Sequence, residues 1–224
     1  MAEPSSPIIE LALDRPAREH QEREAALVAE ARASARVGTA SDTVASAGVG
    51  VPSNAESLRR AVADGIPTVH RRSGGTVVLV RPGDILWSIV IPRDPRAPLS
   101  RGLHAYADLG RGVTQALEKH GVDAAWTNSP AISDEYCLLG FRGFALSTGG
   151  RVIGGAAQHL TGRALLHHGI ILRSVDRAQL GRLFRLPEAE LERSVASLGE
   201  LGVTEEHGAV EAAILRRLAG TDDG

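Results

Sequence analysis

Apolar and polar residues recur along this chain with two different periods, and the change of period divides the chain into helices and strands. Over residues 17–36, glutamate and arginine are interspersed with alanine, leucine and valine without glycine or proline, which predicts a helix. A second helix is predicted over Glu56–Ala63, closed by Gly65. Apolar residues at helical spacing over residues 103–120 predict a third, which ends at Gly121.

Strands are predicted where β-branched and apolar residues form short runs. Residues 76–80 and 85–91 are two such runs separated by the turn residues 81–84, so they predict a hairpin. Residues 41–53 fit either a loop or a short buried strand. Further strands are predicted over residues 122–126, 138–146 and 164–172, with a glycine-rich loop over residues 149–155. Helices before and after such strands predict an α+β fold, a mixed and largely antiparallel sheet flanked by helices.

The same pattern predicts the domain organisation. Residues 1–16 are expected to form a flexible leader, because the chain starts with a polar segment rich in proline and serine. Residues 17–224 are expected to form one domain, since 224 residues with 43% hydrophobic content can bury one core. Its end, residues 177–220, is expected to be helical, with helices over residues 188–198 and 205–218.

Composition narrows the classes of function. A formal net charge of −2 gives no general attraction to nucleic acid or to anionic lipid. No apolar run is long enough to cross a membrane, and no signal sequence is recognised, so we expect a cytoplasmic protein. Cys137 is the single cysteine, which rules out an intrachain disulfide, and Lys119 is the single lysine.

The first segment with chemical potential is Arg71, Arg72, Ser73, Gly74, Gly75 and Thr76. Glycines let backbone N–H groups approach an anion, and arginine binds phosphate or carboxylate with two donors. The segment therefore fits a nucleotide or carboxylate loop. It equally fits a polar turn with solvated arginines, because short glycine and arginine matches are common.

Two later segments are also rich in glycine or histidine. The glycines over residues 149–155 suggest close backbone approach to a ligand, or an ordinary hairpin with a bulge. In the run over residues 164–172, His167 and His168 are adjacent in a strand and must point to opposite faces. That geometry argues against a metal site formed by His159, His167, His168 and Cys137, and no metal ligand is predicted.

Taken in order, these segments resemble the lipoate–protein ligase and octanoyltransferase family. The stretch from Arg71 to Thr76 resembles its arginine, serine and glycine hairpin. The stretch over residues 150–158 resembles its glycine-arginine-lysine to alanine-glutamine segment, and residues 166–172 with Asp176 resemble its histidine-histidine-glycine strand. The similarity spans roughly residues 58–201, most of the chain.

The resemblance implies a fold like that of the class II synthetases and biotin–lipoyl ligases. It implies attachment of lipoate or octanoate to a lysine of a lipoyl-carrier domain or a glycine-cleavage H-type protein. The acyl group would pass through an acyl-adenylate made with ATP and Mg²⁺, or through a cysteine thioester. Oligomeric state is left open. The residues that would bind the substrate or adenylate are Arg71, Arg72, Ser73, Gly74, Gly75, Thr76, Val152, Gly154, Gly155, Ala157, Gln158, His168 and Gly169.

One departure from the family concerns its lysine. Val152 stands where the family has this residue, whose positive charge would stabilise the reacting acyl group. Arg151 is the neighbouring candidate, but strand alternation points it to the other side unless a bulge intervenes. Cys137 lies where some octanoyl-transferring relatives have their nucleophile, and His159, His167 and His168 are candidate bases for it. A buried, unreactive cysteine fits equally well.

Three interpretations follow from this departure. The chain is an active ligase or transferase that uses Arg151 or Cys137, an inactive relative that binds an acyl ligand or a carrier protein, or an enzyme that activates a different acid.

Overall fold

A seven-stranded mixed sheet forms the centre of the molecule. The computed structural model describes residues 6–94, 96, 103–141, 143–204 and 208–221. The strands are β1 Ile8–Arg15, β2 Ser34–Ala40, β3 Val44–Ala47, β4 Thr68–His70, β5 Val77–Val80, β6 Ile85–Pro92, β7 Ala125–Asn128, β8 Phe144–Thr148, β9 Arg151–Leu160 and β10 Ala164–Ile171. The helices are α1 Ala17–Glu30, α2 Glu56–Ala63, α3 Leu103–Leu109, α4 Arg111–Lys119, α5 Arg177–Phe184, α6 Glu188–Ser194 and α7 Ala209–Ala219, with a 3₁₀ turn at Cys137–Leu139.

The strand order of the large sheet is β1-β2-β6-β10-β9-β8-β7. Only β1 and β2 pair in parallel, and every other neighbouring pair in this sheet is antiparallel. A second sheet has the order β4-β3-β5. The predicted α+β fold with a mixed, largely antiparallel sheet is therefore confirmed. In the part of the chain that the structure describes, no helix is long and apolar enough to span a membrane.

The large sheet separates two apolar clusters, because residues in a strand alternate between its faces. On β6, Ile85 and Trp87 belong to one cluster, while Leu86 packs against the other. The first face is covered by α4 and α7, which pack on each other. The opposite face meets α1 and the cluster that includes the second sheet, α2 and α5. The candidate site lies on this second side.

Several local predictions are confirmed. The helix over Glu56–Ala63 has the predicted bounds, and Gly65 follows it with φ +74°. Gly121, with φ +77°, ends the helical segment that begins at residue 103. That segment is two helices rather than one, interrupted at Gly110, where a Cβ would lie 2.5 Å from atoms of the Trp126 ring. The C-terminal part is helical in α5, α6 and α7, although residues 205–207 of the predicted last helix lie outside the described residues.

The predicted start of the chain needs two corrections. Residues 8–15 are not a loose leader, because they form β1 and pair in parallel with β2. The helix predicted over residues 17–36 ends at Glu30, where Ala31 adopts a left-handed conformation. The chain then enters the fully buried strand β2. Buried Arg36 made this strand look helical and polar, but Nη2 of its guanidinium forms an ion pair with Glu10 of β1 at 2.9 Å.

The predicted hairpin of β5 and β6 is also wrong. β5 pairs with β3 in the small sheet, whereas β6 pairs with β2 and β10 in the large sheet. The intervening turn therefore connects the two sheets, and its Asp84 accepts hydrogen bonds from the backbone N–H groups of Arg81 and Arg173. Local apolar runs are the same in both arrangements, so only long-range partners distinguish them.

Three further boundaries shift. The strand predicted over residues 122–126 is β7 at Ala125–Asn128. The one predicted over residues 138–146 begins only at Phe144, because Cys137–Leu139 forms a 3₁₀ turn. The glycine-rich loop predicted over residues 149–155 is reduced to a turn at Gly149 and Gly150, and β9 starts at Arg151.

Candidate functional site

An apolar cavity lies between the large sheet, helix α1 and the loop that precedes β5. Its wall is formed by aliphatic and aromatic side chains together with glycine and alanine of the sheet, and it carries a polar group of residues at one side. The apolar lining includes Val78, Val80, Leu86, Leu138, Phe144, Gly155, Ala157 and Ile170. The polar lining comprises His20, Gln21, Glu24, Ser46, Arg71, Cys137 and His168. Such a slot suits an acyl chain whose reactive end meets the polar residues.

A second, polar cleft adjoins this cavity. It is lined by Arg18, Glu22, Thr68, His70 and Arg72, among others. Gln21, Glu24, Arg71 and His168 line both spaces. These four residues therefore stand at the junction of an apolar and a polar compartment.

Small residues in the sheet make room for the cavity and for close strand packing. A Cβ at Gly155 would lie 2.8 Å from Cδ2 of Leu138, which lines the cavity. At Gly154 and Gly169 a Cβ would instead meet backbone oxygens, at 2.2 Å from Ile170 and 2.5 Å from Gly155. Of the predicted wall glycines, Gly155 and Gly169 line the cavity, and Gly154 and Gly169 allow the strands to approach each other.

The loop from Arg71 to Thr76 is held by the buried Arg71 guanidinium. Nη1 donates to the carbonyl oxygen of Ser46 at 2.6 Å. Nη2 donates to those of Gly74 at 2.8 Å and Thr76 at 3.0 Å. The guanidinium that was predicted to bind an anion therefore donates its hydrogen bonds to backbone carbonyls of its own loop and of β3. Its neighbour Arg72 is exposed.

The Cys137 side chain lines the cavity and contacts this loop. Its Sγ lies 3.6 Å from Nη2 of Arg71. A Cβ at Gly75 would lie 2.6 Å from Sγ and 2.8 Å from Nη2, and the φ of Gly75 is +90°. Glycine is therefore needed at position 75, both for its backbone conformation and for the approach of the sulfur to the guanidinium.

His168 connects three parts of the molecule. Its Nδ1 lies 2.8 Å from Oε2 of Glu24 on α1, and its Nε2 lies 2.7 Å from Oγ of the buried Ser73. Burial acts to raise the pKa of Glu24, but the charge and hydrogen bond of His168 outweigh burial and lower it. Glu24 is therefore ionised, and its Oε2 accepts a hydrogen bond from the Nδ1–H of His168. The predicted pocket residues Ser73 and His168 are brought together here.

His167 points to the opposite face, as strand alternation predicted. Its ring lies among Trp87, Tyr106 and Trp126. Burial, together with the charge of His168, lowers the pKa of His167 to about 3, so this imidazole is neutral. Nε2 of Gln158 lies 3.3 Å from Nδ1 of His167, which places Gln158 on this face too. The expectation that Gln158 lines the same wall as Ala157 is therefore wrong, because successive residues of β9 alternate.

Neither Arg151 nor Val152, the residues considered at the expected position of the family lysine, lines the cavity. Pairing of β8 with β9 changes from Leu146–Gly154 to Ser147–Val152, so a one-residue bulge does lie at Ile153. The bulge does not turn Arg151 inward. Val152 is 1% exposed and belongs to the apolar cluster that includes Val195. Lys119 is exposed at the end of α4.

Two features of the site were missed by the sequence interpretation. Arg71 was not considered as a partner of Cys137, and Glu24 was not considered at all. The buried residues of α1 follow helical spacing from Leu27 back through Glu24 and His20 to Ala17. Extending the apolar stripe towards the start of the helix would have placed Glu24 on its inner face. Its partner His168, 144 residues away, left no local signal.

Comparison of the sequence with known proteins identifies a family and a curated relative. The family model "Lipoyl protein ligase A/B catalytic domain" matches residues 36–218. Octanoyltransferase LipM of an Exiguobacterium species is 27% identical over 150 residues, which cover 63% of this chain and 54% of the relative. The chain thus spans about half the length of this curated relative.

Two solved structures share the fold. A lipoate-protein ligase A bound with ATP is 21% identical with a TM-score of 0.71, over 96% of this chain and 85% of that one. A bipartite lipoate protein ligase from Thermoplasma acidophilum, described with its E2 lipoyl domain, is 20% identical with a TM-score of 0.70, over 96% and 83%. With a family model that matches most of its length, this chain belongs to the lipoyl protein ligase A/B catalytic domain family.

Proposed function

We propose that this protein transfers a medium-chain acyl group, octanoyl or lipoyl, from a thioester donor to a lysine of a lipoyl-carrier domain through Cys137. The observation that carries the proposal is the Cys137 sulfur, which lines the apolar cavity beside the Arg71 guanidinium, whereas no lysine of the described chain lines it. The cavity would hold the acyl chain, and the polar cleft would admit the carriers.

Transfer would take place in two steps. The Cys137 sulfur attacks the carbonyl carbon of the donor thioester, so that a new C–S bond forms while the donor C–S bond breaks and the donor leaves as a thiol after taking up a proton. The deprotonated amine of the carrier lysine then attacks acyl-Cys137. An amide forms, the bond to Cys137 breaks, and the proton lost by the amine passes to the released sulfur or to solvent.

The similarity to octanoyltransferase LipM supports acyl transfer. The alternative is ATP-dependent ligation of lipoate, because the solved structures that share the fold are lipoate protein ligases. Ligation would require ATP with Mg²⁺, and the residues expected to hold the adenylate fit it poorly. The Arg71 donors are taken by the carbonyls of Ser46, Gly74 and Thr76. Val152 is packed in the core. Arg72 is the remaining cation of the predicted loop, and we derive no step through ATP.

The test is intact-mass analysis of a lipoyl-carrier domain and, separately, a glycine-cleavage H-type protein after incubation with this protein. One arm contains an octanoyl thioester without ATP, and the other contains octanoate or lipoate with ATP and Mg²⁺. We expect an octanoyl adduct on the acceptor in the first arm and an acyl adduct on this protein when no acceptor is added. Cys137→Ser should abolish both adducts, while Arg111→Gln, at an exposed position on α4, should keep them.

Two results would contradict the proposal. Labelling that requires ATP and survives Cys137→Ser would establish ligation instead. No labelling in either arm, with a thermal shift on addition of octanoate, would establish a protein that binds the acyl group without transferring it.

A further inference from the structure

Arg71 carries a buried positive charge whose described partners include no carboxylate. The residue is 8% exposed. Its hydrogen-bond acceptors among the described residues are three carbonyl oxygens and the Cys137 sulfur. Carbonyl dipoles orient a guanidinium but do not neutralise it, and a buried charge is stable only when it is paired.

Cys137 is the ionisable group in contact with this guanidinium. Burial lowers the pKa of Arg71, and Cys137 acts in the opposite direction through its charge and its hydrogen bond. Two observations fix the pair in place. The three carbonyls restrain Nη1 and Nη2, and Gly75 leaves the space through which the sulfur approaches.

We propose that Arg71 is a catalytic residue, the fixed counter-charge of the Cys137 thiolate, and that it takes over the electrostatic role of the lysine that Val152 replaces. This inference rests on the proposed function, because it concerns the same sulfur. A cation beside a cysteine favours the thiolate, which is the nucleophilic form. Here the cation comes from the loop before β5 rather than from β9, so it reaches the sulfur from another wall of the cavity.

The chain of Glu24, His168 and Ser73 acts as the positioning device for this pair. It links α1 and β10 to the loop residue that lies two positions after Arg71. Ser73 is fully buried, so its hydroxyl fixes the loop rather than meeting substrate.

The first experiment measures alkylation of Cys137, the single cysteine, by iodoacetamide at one fixed pH near neutrality. We expect Arg71→Gln to slow alkylation about tenfold, since a neutral side chain no longer favours the thiolate. Arg71→Lys, which keeps the charge, should slow it less. Arg111→Gln should react like the wild type. Thermal unfolding of each variant shows whether its fold is retained.

A second measurement needs no variant. In the wild-type protein, a fixed cation beside the sulfur should raise the rate with anionic iodoacetate relative to neutral iodoacetamide. The rate ratio should be several-fold higher in the native protein than in the same protein unfolded in urea. An equal or lower ratio would overturn the inference, as would a folded Arg71→Gln variant alkylated at the wild-type rate.

The two proposals fail in different ways. Transfer activity that survives Cys137→Ser removes the proposed function. Loss of transfer in Cys137→Ser, combined with wild-type alkylation in Arg71→Gln, leaves the proposed function intact and removes only the role of Arg71.

Discussion

The side chain at position 152 lies in the apolar core and not in the wall of the cavity. Val152 directly precedes the bulge residue Ile153 of β9 and packs in the apolar cluster with Val195, and its carbonyl oxygen accepts a hydrogen bond from the N–H of Ala196. A cation at this position would enter the core of the present structure. The charge next to the sulfur belongs instead to Arg71, which the sequence places 66 residues from Cys137.

We therefore predict that Val152→Lys, which places a lysine where the resemblance led us to expect one, does not improve transfer. The ammonium group would be buried among apolar side chains, and the free energy of unfolding should fall by about 3 kcal/mol or more. Urea unfolding measures the loss, and Val62→Lys, at an exposed position on α2, is the matched control. A stable Val152→Lys variant with faster acyl transfer would show that position 152 faces the reacting group.

At the scale of elements, β9 shapes the cavity through the absence of a side chain. Gly155 faces Leu138 of the 3₁₀ turn, which packs against β9. The space in the cavity at this point therefore depends on one hydrogen atom in place of a methyl group.

Gly155→Ala should shorten the acyl chain that the protein accepts. The new Cβ would lie 2.8 Å from Cδ2 of Leu138 and 3.2 Å from the carbonyl oxygen of Phe144, so Leu138 must shift and the wall of the cavity changes shape. We expect kcat/KM to fall about tenfold for an octanoyl donor, and less for a butanoyl donor, because one methyl group in an apolar pocket has an effect of this size. The control is Gly162→Ala, where a Cβ meets nothing within 4 Å. Equal losses for both donors would mean that Leu138 does not limit chain length.

Sequence patterns predict an element when its signals are local. The helix Glu56–Ala63 was predicted because its apolar spacing and the glycine that follows it are local signals. The strand β10 was predicted from its own run of apolar residues. Pairing of β5 with β3 was not, because a strand of four buried residues fits either sheet equally well. β1 was missed for a related reason. Ile9 and Leu11 are exposed on this edge strand, and it is the pairing with β2 that distinguishes the segment from a loop.

For the site, the sequence predicted residue types and the broad regions but not their contacts. Ser73 and His168 were both expected at the pocket, and their hydrogen bond unites them. Gln158 was expected there and lies on the other face. Glu24 and the contact between Arg71 and Cys137 depend on how separate elements pack, which no periodicity within one element specifies.

At the scale of the whole molecule, the neutral His167 links global stability to pH. The pKa of this imidazole is about 3 in the folded protein, below its ordinary value of 6.5, because burial disfavours the charged form. Between these two values the unfolded chain binds a proton that the folded protein does not bind. The contribution of His167 to stability is therefore fully present above pH 6.5 and is lost as pH falls towards 3.

His167→Phe should weaken this dependence. Phenylalanine keeps an aromatic ring beside Trp87 and Tyr106 but has no proton to bind. Relative to the variant, the wild-type free energy of unfolding should fall with decreasing pH, with a slope of up to about 1.4 kcal/mol per pH unit between pH 6 and pH 4. Denaturant unfolding at several pH values measures the slope, and His104→Gln at an exposed position is the control. Parallel curves for the wild type and His167→Phe would show that His167 is protonated in the folded protein.

The hydrogen bond between Glu24 and His168 also constrains the order of events during synthesis. Its two residues are 144 positions apart, and α1 emerges from the ribosome long before β10. Domains complete their folding only when their late segments are available. The part of the cavity wall that Glu24 and His168 form together is therefore assembled after most of the polypeptide has been translated, and a nascent chain that stops before β10 lacks a finished cavity.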